Sequence, residues 1–168
     1  MVTKSRSRWV LLAYHLPREP STPRITLWRK LRRLGAVQLQ DGLVALPLDA
    51  RTREQLEWLA EEVTEAGGQA AIWLAEPATA AQERALAQRM AAAVATDYQA
   101  VTAAAQAARS QPPGPRRRTM GRLLRELRRI GLRDHFPPPE RDQARTAVAE
   151  LAATLTQPTP ETEMGVGR

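Results

Sequence analysis

The stretch from Leu16 to Pro47 constrains the fold more than any other part of the chain, because it combines a basic helix and a hairpin in one short segment. Thr22 is the expected N-cap of the helix, and Gly35 is its expected end. Asp41-Gly42 then separates two short apolar runs, which predicts a β-hairpin with a type I′ turn. A helix followed directly by a hairpin predicts a mixed α and β fold.

Further strand and helix signals surround this segment. Trp9 to His15 has the continuous apolar composition of a buried strand. Thr52-Arg-Glu-Gln55 resembles a capping box at the start of a second helix, and a last strand is predicted for residues 69–74. The resulting order is the split βαβ arrangement of ferredoxin-like domains, so we predict an α+β fold with a ferredoxin-like βαββαβ domain over residues 1–76.

Both faces of the first strand are apolar, since its residues alternate between the two sides of the sheet. If both helices of the βαββαβ domain lie on one side, the other side needs a separate cover. We expect that cover to be a second copy of the domain, the chain's own C-terminal helices, or both.

The remainder of the chain, residues 77–156, predicts an α-helical C-terminal extension. An alanine-rich segment without Gly or Pro indicates a long helix over 79–109. A Pro-rich linker is expected at 110–116, and leucine and alanine spacing predicts further helices over 119–131 and 139–155. The polar residues 157–168 are expected to form a flexible tail.

Composition excludes several classes of site. The chain has no cysteine, so thiolate metal sites, disulfides and cysteine nucleophiles are excluded. We expect no metal and no cofactor. The apolar run near the N-terminus is too short for a membrane span or the core of a signal peptide, which predicts a soluble cytoplasmic protein without a membrane partner.

Charge is distributed unevenly along the chain. Residues 1–35 carry nine Lys/Arg and one acidic residue, residues 36–110 are net acidic, and residues 111–168 carry eleven Lys/Arg and seven acidic residues. These two basic regions and the net charge of +7 for the whole chain indicate an anionic partner, nucleic acid before membrane.

The N-terminal half resembles the N-terminal domain of the ChrB family, bacterial proteins associated with chromate-resistance operons and treated as their regulators. The resemblance rests on Trp9 to Tyr14, Leu16-Pro17, Pro20-Ser21, Pro23-Arg24, Trp28-Arg29, Leu31, Leu34-Gly35-Ala36, Asp41-Gly42, Leu46-Pro47, Thr52 to Gln55 and Trp58-Leu59. A remoter similarity is to the ferredoxin-like middle domain of PaaX-type repressors. Both similarities imply transcriptional control, and the uncovered apolar face of the sheet predicts a homodimer. Longer ChrB members continue into a second domain beyond the point where this chain ends, so the resemblance implies chromate-linked regulation more strongly than chromate binding.

The first functional hypothesis is a DNA-binding regulator. Guanidinium groups bind phosphate through two parallel hydrogen bonds, and a helix with one arginine side and one leucine side can lie against a duplex. The alternative is a solvated basic helix with internal pairs such as Arg122 to Glu126. The nucleic-acid-binding residues predicted by the first hypothesis are Arg116, Arg117, Arg118, Arg122, Arg125 and Arg129.

The second hypothesis is the capture of an oxyanion, such as chromate or sulfate, by Ser21, Arg24 and Arg29 at the N-terminus of the first helix. A helix N-terminus offers unpaired N–H groups and a positive potential. The alternative is that Ser21 or Thr22 acts only as an N-cap.

A third hypothesis is a metal-dependent nuclease of the CRISPR-adaptation type, which shares the ferredoxin-like architecture. Such enzymes place an aspartate at the end of the first strand, whereas this chain has Tyr14-His15 there. Asp41 and Asp97 fall on separate predicted elements, with no obvious convergence. We therefore expect no catalytic residues and no enzymatic activity.

Overall fold

A computed structural model of the protein describes residues 8–156, over which the chain forms four strands and five helices. In chain order these are β1 (Trp9–His15), α1 (Thr22–Leu34), β2 (Val37–Gln40), β3 (Leu43–Pro47), α2 (Ala50–Glu65), β4 (Gln69–Ala75), α3 (Ala80–Ala108), α4 (Pro113–Gly131) and α5 (Glu140–Thr156). The chain is therefore an α+β protein, as predicted, with helices following a four-stranded sheet. The predicted tail, 157–168, lies outside the described residues.

The sheet has the strand order β2-β3-β1-β4, and all neighbouring strands are antiparallel. Strand β1 is central because its apolar residues need neighbours on both sides. Val10 pairs with Leu46 and Leu12 with Val44 on one face, and all four side chains are buried. Strands β2 and β4 form the two edges, and β4 carries the exposed side chains of Trp73 and Leu74.

Later segments of the chain cover the opposite face of the sheet near Trp9. The ring of Phe136 stacks on Trp9 with the centroids 5.9 Å apart, and Met90 of α3 belongs to the same buried cluster. His135 Nε2 lies 2.8 Å from the carbonyl oxygen of Leu34 and donates to it. Of the predicted cover by the chain's own C-terminal helices, α3 contributes Met90 at this end of the sheet, and Phe136 contributes from the connection between α4 and α5. Cover by a second copy stays a prediction.

The described residues divide into two compact units. The first comprises residues 8–95 with 130–138, and it contains the whole sheet, α1 and α2. The second comprises residues 96–129 and 139–156. In the second unit α3 and α5 are joined by bonds from Gln99 to Glu140 and from Arg109 to Glu150. The predicted domain limits at residues 76 and 77 stay a prediction.

The first two helices begin at caps that differ from those predicted. Helix α1 has Ser21, not Thr22, at its N-cap, and no side-chain hydrogen bond caps it. Helix α2 has Asp49 at its N-cap: the Asp49 carboxylate accepts from Thr52 N at 2.7 Å, and Thr52 Oγ1 accepts from Asp49 N. The predicted box from Thr52 to Gln55 is therefore wrong by one turn, because an aspartate three residues earlier caps more strongly.

The hairpin between β2 and β3 is confirmed, but its turn is not of type I′. Gly42 has a φ of +71°, whereas no described residue other than glycine has a positive φ, so Asp41 lacks the conformation that type I′ requires. A register shift between Gln38 and Gln40 accompanies this turn. Gly42 is needed there, since a Cβ would lie 2.3 Å from the carbonyl oxygen of Tyr14.

Helix α4 begins at Pro113, six residues before the predicted start at Thr119. Proline is tolerated in the first turn of a helix, where its missing N–H has no intrahelical partner to lose. The hydrogen bond from Arg116 N to the Pro112 carbonyl shows that the helix is already formed across this segment. The residues expected to form a linker are thus partly helical.

Candidate functional site

Helix α4 in the second unit exposes six arginines on one side. At 100° per residue, they occupy an arc of roughly 140° opposite the buried side chain of Leu123. We call this surface the arginine face, and it consists of Arg117, Arg118, Arg122, Arg125, Arg128 and Arg129. Arg128 belongs to it, although Arg128 is not among the nucleic-acid-binding residues predicted from the sequence.

Arg116 is the one predicted nucleic-acid-binding residue that faces elsewhere. It precedes Leu123 by seven residues and so lies on the leucine side of α4. Its guanidinium donates to the carbonyl oxygen of Gln111 at 2.7 Å and to that of Thr154 at 3.3 Å. Arg116 therefore ties the start of α4 to the end of α5, and the structure does not group it with the arginine face.

Four arginines form a continuous stripe within the arginine face. Arg118, Arg122, Arg125 and Arg129 follow at spacings of four, three and four residues, which spans about 16 Å at ~1.5 Å per residue. Glu126 is ion-paired with Arg129, where the sequence had suggested Arg122 as its partner. The stripe can place several guanidinium groups along an extended polyanion.

A second candidate site is an open cleft of about 880 Å³ in the first unit, at the N-terminal end of α1. We call it the Arg24 cleft. Among the side chains that line it are Tyr14, His15, Arg18, Ser21, Arg24 and Trp28. The end of β1 supplies the first two, the loop after it supplies Arg18 and Ser21, and the first turns of α1 supply the last two.

The structure brings together two of the three predicted oxyanion residues. Ser21 and Arg24 line the cleft, whereas Arg29 is not among its lining residues. The reason is helical geometry: Arg29 is five residues after Arg24 and points about 140° away from it, while Trp28 is four residues after Arg24 and lies on the same side. The oxyanion role of Arg29 stays a prediction that this cleft does not support.

Electrostatics in the cleft centre on the Tyr14 phenol. Burial raises the pKa of Tyr14 above its usual value; the charge of Arg24 lowers it and that of Asp41 raises it, with smaller effects. The phenol is therefore neutral at physiological pH and can donate a hydrogen bond. Gln38 Nε2 donates to Asp41 Oδ1 at 3.3 Å beside it.

The two aspartates considered for a nuclease site belong to different parts of the protein. Asp41 lines the Arg24 cleft, and Asp97 lies in the second unit. Among residues 8–156 the structure contains no group of three or more His, Cys, Asp or Glu side chains suited to a metal ion. In the same residues, no helix has the length and apolar composition needed to cross a membrane.

Comparison with known proteins adds a family to these observations. The model of the family described as "Protein ChrB, N-terminal" matches residues 24–111, more than half of the chain. Protein ChrB of Cupriavidus metallidurans is 36% identical over 66 residues, which are 39% of this chain and 20% of that protein. The match thus spans about a fifth of this curated relative. No solved structure matches the chain significantly.

Proposed function

The chain belongs to the ChrB family, and we propose from that premise that it is a transcriptional regulator associated with chromate resistance, which binds DNA through the arginine face of α4. In this proposal the protein is not an enzyme and needs no cofactor. The observation that carries the proposal is the segregation of α4 into a side that buries Leu123 and Ile130 and an opposite, exposed side with six arginines.

The geometry of α4 suits contact with phosphates. A duplex presents one phosphate charge per ~1.7 Å of its axis, so a stripe of about 16 Å faces several phosphates at once. The tie from Arg116 to the carbonyl oxygens of Gln111 and Thr154 holds the helix while its outer side stays in solvent. Arginines that contact phosphate position a protein on DNA, whereas contacts with base edges supply sequence specificity.

The proposal is tested by titrating the protein with its own operon promoter and with random DNA at several salt concentrations. The variant to compare carries Arg118→Gln, Arg122→Gln and Arg125→Gln. A matched control carries Arg33→Gln, Arg51→Gln and Arg84→Gln, which removes the same charge from exposed positions of the first unit. We expect the α4 variant to lose affinity and to reduce the slope of log K against log salt by about 3, because each phosphate contact contributes about one. Equal losses in both variants would show attraction by net charge alone, and equal affinity for promoter and random DNA would refute specific regulation.

The topology of the sheet and the oligomeric state form part of the same proposal. The element order βαββαβ and the strand order β2-β3-β1-β4 support a ferredoxin-like domain. We further propose a homodimer, supported by the exposed apolar side chains on the edge strand β4. Light scattering at several protein concentrations measures the oligomeric state.

A second candidate function is the binding of an oxyanion such as chromate or sulfate in the Arg24 cleft. Arg18, Arg24 and the N-terminus of α1 meet there, and all three favour negative charge. Calorimetry with chromate and with sulfate tests it. Arg24→Ala should weaken the binding of either anion, while Arg33→Ala, on the same helix but outside the cleft, should leave it unchanged.

A further inference from the structure

The Arg24 cleft is large for an inorganic oxyanion. Its volume of about 880 Å³ falls within the ~300–1,000 Å³ typical of sites for organic small molecules. A tetrahedral ion of five heavy atoms touching Ser21 and Arg24 leaves the part of the cleft near Trp28 and Gln38 unused. The shape therefore suits a ligand with an anionic group at one end and a larger body at the other.

The anionic end is set by the start of α1. Ser21 stands at the N-cap without a side-chain capping bond, so its hydroxyl is not engaged by the helix. Arg24 comes one turn later, and Arg18 approaches from the preceding loop. A phosphate group carries two negative charges at neutral pH and accepts hydrogen bonds in the geometry that guanidinium groups offer.

The other end of the cleft carries an exposed aromatic ring. Trp28 lies on the same side of α1 as Arg24, and 51% of its surface is exposed. The guanidinium of Arg32 lies over the indole ring, 4.9 Å from its centre, in a cation–π contact. A half-exposed tryptophan beside an anion site is the arrangement by which proteins stack a nucleobase.

Polar groups for the edge of such a base lie across the cleft. Gln38 offers an amide with donor and acceptor atoms, and Asp41 offers a carboxylate that accepts from exocyclic amines. The neutral phenol of Tyr14 adds a donor. We propose that the Arg24 cleft binds a nucleotide, with its phosphate at Ser21, Arg18 and Arg24 and its base stacked on Trp28.

This inference rests on the second candidate function, namely that the cleft is an anion site, and it does not depend on DNA binding by α4. The experiment is calorimetry of the full chain with the four ribonucleoside 5′-monophosphates, with adenosine, and with inorganic phosphate and chromate. We expect at least one monophosphate to bind about tenfold or more tightly than phosphate, because stacking adds to the same anion contacts.

Two pairs of variants test the assigned roles. Trp28→Ala should weaken the binding of the nucleotide roughly five- to one-hundred-fold and leave the binding of phosphate unchanged. Trp58→Ala removes a similarly exposed tryptophan from α2 and should change neither affinity. Arg24→Ala should lower the affinity for both ligands, and Arg33→Ala should leave both affinities unchanged.

The outcomes distinguish nucleotide binding in the Arg24 cleft from the binding of an inorganic oxyanion there. Inorganic anions that bind as tightly as every monophosphate would overturn the nucleotide inference and leave the oxyanion function standing. Absence of binding by all of these ligands would overturn both. Nucleotide binding that Trp28→Ala does not weaken would overturn the stacking and the placement in this cleft.

Discussion

The placement of residues 130–138 against the first unit can be tested by Gly35→Ala, a substitution that adds a single methyl group. Gly35 ends α1 with a φ of +73°, and a Cβ there would lie 2.5 Å from the Arg133 carbonyl oxygen and 2.9 Å from the Arg133 Cβ. Gly67, at the end of α2, has a φ of +78° and nothing within 4 Å of the added atom. Gly35→Ala and Gly67→Ala therefore impose the same backbone strain, but only the first displaces a neighbouring segment.

The expected costs follow from these contacts. A positive φ at alanine costs about 1 kcal/mol, which is the whole effect expected at Gly67. At Gly35 the displaced Arg133 backbone also weakens the His135 to Leu34 hydrogen bond, worth ~1 kcal/mol, and the stacking of Phe136 on Trp9, worth ~1 kcal/mol. We expect the free energy of unfolding to fall by about 3 kcal/mol for Gly35→Ala.

Urea denaturation followed by tryptophan fluorescence measures both variants, with the slope m checked for constancy. Gly35→Ala combined with Phe136→Ala should cost less than the sum of the two single changes, because both loosen the same segment. If Gly35→Ala and Gly67→Ala cost the same within about 0.5 kcal/mol, residues 130–138 do not lie against the end of α1, and the reasoning fails.

Two further predictions concern the half-buried hydrogen bonds of Arg116 and the titration of Tyr14. Arg116→Ala should lower the free energy of unfolding, measured in urea, by about 2 kcal/mol, because it removes the charged donors to the Gln111 and Thr154 carbonyls. Replacement of the exposed Arg117 by alanine should change this free energy by less than about 0.5 kcal/mol. Equal effects of the two substitutions would contradict the structural role of Arg116. The raised pKa of Tyr14 means that the folded protein holds the phenol proton more tightly than the unfolded chain does. The contribution of the neutral phenol to stability is therefore complete below pH ~10 and is lost as the pH rises through the pKa of the folded state. Denaturation between pH 8 and 11.5 should show a smaller alkaline loss of stability in Tyr14→Phe than in the parent protein, and identical pH profiles would show that the environment of Tyr14 is not as described.

Local patterns predicted most of the secondary structure, and the errors concerned where helices begin and the type of the hairpin turn. With α4 assumed to start at Thr119, Arg116 counted as part of a basic run in a linker. The true start at Pro113 places Arg116 seven residues before Leu123, so helical spacing alone assigns it to the buried side. The same spacing rule selects Trp28, rather than Arg29, as the neighbour of Arg24.

Other features had no local signal. The stacking of Phe136 on Trp9 joins residues far apart in the sequence, and the short polar and proline-rich segment around Phe136 resembles a simple connection between helices. The Arg24 cleft likewise combines the end of β1, a loop, α1 and the hairpin, so its shape depends on how the sheet is assembled. Helical spacing predicts which residues of α1 share one side and line the cleft, but tertiary packing determines which residues of the other elements line it.

The two edges of the sheet differ in a way that limits how far any assembly can grow. Strand β4 is uncharged from Gln69 to Ala75, and among residues 8–156 it pairs with β1 alone, so a further strand can add to its other side. On the far edge, β2 is interrupted by the register shift between Gln38 and Gln40, and Arg89 already donates to the Gln38 carbonyl at 2.6 Å. In the proposed homodimer, pairing of β4 with β4 would use both receptive edges and leave none for a third molecule, so growth of the sheet would stop at two copies.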